Sequence, residues 1–217
     1  AGQDLGEMFD VYEAPQPSVA AFRGEPTRKG ANKARKKVHT DGDWHRAVHV
    51  WIYNSKGRVI LQKRAEGKDT FPGRWDVSVG GHVTSGDSVM ETARKEVEEE
   101  LGISIDPSDL EPLGTLATSV EGSSPVGGDF ICNEYKDLFL FKFEGRVADL
   151  KFSPDEVSEV ADKHWTQVHA DLLAQLSPTG DEIDGPMIQR PHHYIQLLFS
   201  ALASRFPSDD RYSLLFQ

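Results

Sequence analysis

Three glutamates, Glu96, Glu99 and Glu100, stand at spacings i, i+3 and i+4 within Lys95-Glu96-Val97-Glu98-Glu99-Glu100-Leu101-Gly102-Ile103. On an α-helix that spacing gathers the three carboxylates within about 100° of one another. Like charges so placed repel by a few tenths of a kcal/mol per pair even in water, so helix stability gives no reason to cluster them. A hard divalent cation does. Mg²⁺ takes oxygen ligands, keeps several waters, and is usually held by one or two carboxylates together with substrate phosphates. Such an ion neutralises phosphate charge and acidifies a bound water, which is the chemistry of hydrolysis at phosphorus. The competing reading is a solvated acidic helix face that does no chemistry.

The helix that must carry these residues has its ends written in the sequence. Ser88 followed by Glu91 is a capping box, and Gly102 suits the left-handed residue after a last turn. Met90, Ala93, Val97 and Leu101 make an apolar stripe roughly 80° wide, the side that docks on a sheet. The glutamate triplet lies beside that stripe, whereas Glu91 and Glu98 point away. Glu91 precedes Lys95 by four residues, the favourable order for an ion pair. Ahead of the helix, Gly81-His82-Val83-Thr84-Ser85-Gly86-Asp87 reads as a glycine-bearing loop.

Together the two segments resemble the Nudix box, G-x5-E-x7-R-E-U-x-E-E-x-G-U with U aliphatic. Gly81, Glu96, Val97, Glu99, Glu100, Gly102 and Ile103 match as they stand. Asp87 replaces the family's glutamate and Lys95 its arginine, the two residues that tie loop to helix in the family. A shorter carboxylate meeting an ammonium without a planar fork is a weaker tether, so the loop should be less firmly fixed. The flanks are similar to the isopentenyl diphosphate isomerase-like branch of the superfamily. They include His45-Arg46-Ala47-Val48-His49, Phe71-Pro72-Gly73-Arg74-Trp75 and Asn133-Glu134-Tyr135, and the likeness runs over most of residues 39–166.

The resemblance implies an α/β fold, a mixed β-sheet in an α/β/α sandwich. It also implies Mg²⁺-dependent (or Mn²⁺-dependent) hydrolysis of a diphosphate bond in a nucleoside diphosphate linked to another moiety. On this reading Glu96, Glu99 and Glu100 are metal ligands. Glu99 is the first choice for the carboxylate that accepts the water's proton, and Glu134 the second. Arg64, Lys68 and His82 are substrate contacts, with the two cations suited to diphosphate oxygens. Asp87 and Lys95 are the loop tether.

Isomerases of this branch need a cysteine directly before the Gly-His pair, where this chain has Gly80. They also need three histidines and two glutamates around a metal. His39, His45, His82 and Glu134 fall where four of those ligands would be, and Cys132 holds the fifth position. Glycine cannot move the proton that an allylic isomerisation transfers. Isomerisation of an isoprenoid diphosphate is therefore the second reading. A non-catalytic diphosphate-binding module is the third, prompted by Asp87 and Lys95.

Composition fits a cytoplasmic enzyme that handles a small-molecule diphosphate, as a monomer or a homodimer. The chain has 217 residues, a formal charge of −11 and one cysteine, Cys132, so it forms no internal disulfide. The negative charge argues against nucleic acid as the main partner. No apolar run approaches the ~20 residues of a membrane span, and no secretory leader is visible.

Residues 1–40 read as an N-terminal extension, with an edge strand over 8–12 and a basic run from Arg28 to Lys37. That run is either a solvated arm or a basic lip beside a phosphate site. Residues 41–217 read as the domain proper. Strands are expected over 47–53, 58–64, 75–79, 113–120, 137–143 and 156–166, with a turn-rich loop over 121–129. Helices are expected over 168–176 and 190–205.

Overall fold

A computed structural model describes residues 6–16, 24–68, 70–124, 128–176 and 185–207. The central strand β3, Trp44–Tyr53, is buried on both faces, with Val48, Val50 and Ile52 on one and Ala47 and Trp51 on the other. Two-sided apolar burial is what the middle of a sandwich requires. β3 turns into β4, Arg58–Arg64, where the Asn54 side chain accepts the N–H groups of Lys56 and Arg58, each at 3.0 Å.

β6, Val79–His82, runs antiparallel to β3, and β8, Gly128–Lys142, runs parallel to it. β7, Leu110–Ser124, pairs antiparallel with β8. β4 pairs with β5, Trp75–Asp76, and with β9, Val157–His164. The strand expected over 75–79 is broken into β5 and β6. At the break, Ser78 Oγ accepts the Ile52 N–H at 2.8 Å and donates to the Ile60 carbonyl at 2.5 Å, bridging β3 and β4.

Helices cover both faces. α2, Val89–Leu101, packs Ala93, Val97 and Leu101 against Val48, Val50, Ile52, Phe139 and Phe141. α3, Trp165–Ala174, and α4, His192–Arg205, pack Val168, Leu172, Leu198 and Leu202 against Trp51, Leu138 and Leu140. Adjacent residues of β3 and β8 thus feed opposite cores, and the α/β/α sandwich follows from the two-residue period of a strand.

The N-terminal segment forms β1, Met8–Tyr12, and β2, Arg28–Ala34, joined by α1, Arg35–Asp41, to β3. β1 meets β3 at Tyr12↔Trp44, so β2 and not β1 is the edge. The basic run is an ordered strand and helix start whose charge is balanced locally. Arg28 pairs with Asp10, Lys33 with Asp41 at 3.0 Å and Arg35 with Glu7 at 3.3 Å. The division at 40/41 falls in the last turn of α1. The loop expected over 121–129 is shorter than its composition suggests, because β7 and β8 stay paired as far as Ser124↔Gly128; positions 125–127 lie outside the described residues. Among the described residues no helix is long and apolar enough to cross a membrane.

Candidate active site

α2 starts at Ser88, whose hydroxyl accepts the Glu91 N–H at 3.2 Å, and ends at Gly102, φ 66°, whose N–H reaches the Glu98 carbonyl at 2.9 Å. Of the expected capping box, the Ser88 half forms. The Glu91 carboxylate turns to Arg94 at 3.1 Å instead of to Lys95, and Lys95 reaches Asp87 at 2.8 Å. Both members of that last pair are well exposed, so water screens the attraction and the tether is weak.

The loop has other anchors. The Ser85 N–H donates to the Met8 carbonyl at 2.7 Å, its hydroxyl donates to Asp10 at 2.6 Å, and the Thr84 hydroxyl donates to Glu7 at 2.6 Å. β1 therefore braces the segment that the weak Asp87–Lys95 tether was expected to leave loose.

The three glutamates differ in surroundings. Glu99 is exposed, Glu96 is half-buried, and Glu100 is buried. Glu100 Oε2 accepts from Gln62 Nε2 at 2.9 Å and from the Gly80 N–H at 3.3 Å. Burial pushes its carboxyl up to about 7, against the pull of the Lys68 ammonium. Glu96 is pushed further, up to about 9, first by burial and then by the like charges of Glu100, Glu99 and Glu7. Gly81 lets Glu96 lie against β6: a Cβ there would stand 2.1 Å from the Glu96 carboxyl carbon. The result is a crowd of carboxylates that Lys68 offsets only in part.

Arg64 and Lys68 have partners within the chain. Arg64 donates to the Thr70 carbonyl at 2.9 Å and lies 3.4 Å from Asp76, and Lys68 pairs with Glu156. Both hold the loop between β4 and β5, while their charges reach Glu100.

Side chains alternate along β6, so His82 leaves the face opposite to Gly81. There it meets His39 of α1, His45 of β3 and Cys132 of β8, with ligand-type atoms all within 4.8 Å of one another. His39 Nδ1 donates to the Arg35 carbonyl at 2.8 Å and His45 Nδ1 to the Asp43 carbonyl at 3.0 Å. A carbonyl can only accept, so each ring keeps an Nε2 lone pair, the arrangement that orients metal-ligating histidines. The Phe9 ring stacks on His45 and His82, with centroids 5.4 and 4.9 Å away. Burial lowers His45 to about 4 and His82 to about 3, and it raises the Cys132 thiol well above its usual range.

Glu134 lies in this second pocket and not among the glutamates of α2. Lys136 Nζ is 2.6 Å from it, His82 Nε2 3.1 Å and His45 Nε2 3.8 Å. Burial alone would raise its carboxyl, but Lys136 and His82 hold it well below the usual carboxylate range. Gly80, where the isomerases carry cysteine, packs so that a Cβ would stand 3.3 Å from His49 Cδ2.

Sequence reasoning passed over Gln62, Lys136, Glu7 and Phe9. Gln62 follows Ile60 by two, on the face toward α2, and Lys136 follows Glu134 by two, so strand period could have found both. Glu7 and Phe9 reach the site only through long-range pairing of β1, which leaves no local signal.

The NUDIX domain family model matches residues 43–190. An uncharacterised Nudix hydrolase of Clostridium acetobutylicum is 33% identical over 182 residues, covering 82% of this chain and 77% of that protein. Nudix hydrolase 3 of Arabidopsis thaliana is 41% identical over 123 residues, 56% of this chain, but the match spans only 15% of that much longer protein. An isopentenyl-diphosphate Delta-isomerase of Serratia proteamaculans is 30% identical over 137 residues, 63% of this chain and 69% of the isomerase. In fold, the chain resembles a Deinococcus radiodurans crystal structure with a TM-score of 0.52 at 22% identity, covering 82% of this chain and 93% of that one. With the box, its flanking strands and the family match on the same residues, the chain belongs to the Nudix family.

Proposed function

We propose that the chain hydrolyses a diphosphate bond in a nucleoside diphosphate linked to another moiety, with Mg²⁺ as cofactor and Mn²⁺ as substitute. The observation that carries this is the placement of Glu96 against Gly81, where a Cβ would stand 2.1 Å from its carboxyl carbon, with Glu100 and Glu99 beside it. Burial and those like charges raise its carboxyl. A donor set made only of carboxylate oxygens, short of positive charge, fits a hard divalent cation. When bound, that cation neutralises phosphate charge and lowers the pKa of a water.

The chain's own residues supply the rest. Glu96, Glu99 and Glu100 hold the cation, with Glu100 oriented by Gln62 and the Gly80 N–H. Glu99, exposed on α2, is the first choice to accept the proton of the attacking water. Glu134 stays second to it, because its carboxylate is committed to Lys136 on the other face of β6. Arg64 and Lys68 lend positive charge to the phosphate side of the cluster.

His39, His45, His82 and Cys132 form a softer donor set, suited to a cation of the zinc class and not to Mg²⁺. The isomerase reading keeps the scaffold but loses its acid–base group at Gly80. Turnover of nucleotide sugars, dinucleotides, coenzyme A and nucleoside triphosphates with Mg²⁺ or Mn²⁺ in ¹⁸O-water tests the proposal. One compound class should release phosphate products carrying one solvent oxygen. Double-bond migration in isopentenyl diphosphate, or binding of these compounds without turnover under either metal, would overturn it.

A further inference from the structure

A cavity of about 150 Å³ opens between β7, β8 and the start of α4. Its lining includes neither the glutamates of α2 nor His39, His45, His82 and Cys132, although Lys136 borders the histidine–thiol pocket through Glu134. Thr118, 7% exposed, lines it and has a buried Oγ1 with no hydrogen-bond partner. Lys136 and Arg190, themselves 7% and 8% exposed, bring two cations to the same wall. Each has an acid partner, Glu134 at 2.6 Å and Asp76, yet an ammonium has three donors and a guanidinium five.

The fourth element is the 14-residue helix α4. Its N-cap is Pro191, which lines the cavity, and no side chain caps its first turn. The first N–H groups of a helix have no partner within the helix, and together with the macrodipole they favour an anion. Tyr194 closes the wall with its hydroxyl fixed by His49 at 2.8 Å and Trp51 at 2.7 Å. Two buried cations, an uncapped helix start and an idle buried hydroxyl converge on one small space. Apolar cavities of this size hold one benzene-sized molecule, so a phosphate group is of the right scale and a whole nucleotide is not.

We propose that this cavity is a phosphate-class oxyanion site, filled by free phosphate or by a phosphate carried on a substrate. Lys136 joins it to Glu134, at the border of the histidine–thiol pocket. The substrate half rests on the hydrolase reading; the anion site itself does not.

Inorganic phosphate is titrated into the wild type, Thr118→Val and Lys136→Gln, followed by calorimetry and amide NMR shifts. Thr118→Val should fold normally, because the lost hydroxyl has no partner. Saturable binding is expected, with shifts centred on residues 117–120 and 189–194. Thr118→Val should weaken it about fivefold, the scale of one hydrogen bond, and Lys136→Gln should weaken it more. No saturable binding, shifts centred on Gly81 and α2, or equal affinity in all three proteins would overturn the site.

In a second arm, KM is compared for NADPH and NADH, which differ by one phosphate. NADPH should have the lower KM in the wild type, and the gap should close in Thr118→Val. Equal KM values, with added inorganic phosphate shifting both rates alike, would assign the site to free phosphate and overturn the substrate-borne half. If neither dinucleotide is hydrolysed, the hydrolase reading fails for them and their Kd values are compared instead: tighter NADPH binding in the wild type but not in Thr118→Val supports the substrate-borne half, and equal Kd values overturn it.

Discussion

Gly81 and His82 are neighbours on one strand, yet they face two differently built pockets. On the Gly81 side, Glu96 and Glu100 are held above their ordinary range, because burial and like charge outweigh what Lys68 offers. On the His82 side, Glu134 is as buried as Glu100 and is held well below that range, because Lys136 and His82 touch it. Burial is common to both sides. What differs is whether the chain supplies the countercharge. Where it does, the pocket is electrostatically complete for its carboxylate; where it does not, the missing charge has to come from outside.

The contrast breaks most sharply at the glutamates. Glu99→Gln or Glu100→Gln should cut kcat at least ~100-fold, as when a catalytic metal loses a charged ligand. The fold should survive, and the cation-free variants should melt at or above the wild-type temperature. Wild-type rates in both variants would remove them from the site. Gly81→Ala is next. Its Cβ would fall 2.1 Å from the Glu96 carboxyl carbon, so that side chain must leave its cradle, and turnover should drop about 10- to 100-fold, the scale of a misplacement near 1 Å. Unchanged cation affinity in Gly81→Ala would show that the cradle does not position Glu96.

Proton linkage gives a medium-sized effect. The folded protein holds protons on Glu96 and Glu100 up to about 9 and about 7, whereas the unfolded chain has already released them. Cation-free stability should therefore fall as pH rises from neutral toward 9. The histidines depressed to about 4 and about 3 act in the opposite sense, and only below the ordinary histidine range. Thermal melts across pH 7 to 9, with and without Mg²⁺, should show a decline that the cation flattens; a flat cation-free profile would contradict the shifts.

Two small effects follow on the other side of the comparison. Cys132→Ser should leave hydrolysis close to wild type, because the thiol lies in the histidine pocket; a loss as large as that in Glu99→Gln would merge the two pockets functionally. Asp87→Glu with Lys95→Arg should raise turnover by no more than about threefold, since that pair is exposed and β1 already braces the loop. A gain of tenfold or more would show that the β1 contacts do not fix it.

Much of this was legible in the sequence because it is local. The ends of α2 follow from Ser88 and Gly102, and its buried stripe from a 3.6-residue period. The alternation along β3 and β8 carries the sandwich. Other features depend on pairing across the chain. The break at Ser78 exists because its hydroxyl bridges Ile52 and Ile60. Gly122, Ser123 and Ser124 form strand because cross-strand bonds to β8 override composition. Which face Glu134 occupies depends on register against His45; the isomerase-like ligand positions point to it, whereas the choice of Glu134 as a base beside the α2 glutamates does not.

Calorimetric titration of Mg²⁺ into cation-free protein near pH 7, in two buffers of different ionisation enthalpy, shows whether the carboxylates of α2 take the cation. If the crowded carboxylates are the cation site, binding must displace the protons they retain, and between one and two should be released per cation bound. That release should fall to about half a proton or less in Glu96→Gln, where only Glu100 still holds one in part. Binding without proton release, or the same affinity and release in Glu96→Gln, would place the cation elsewhere and contradict the account.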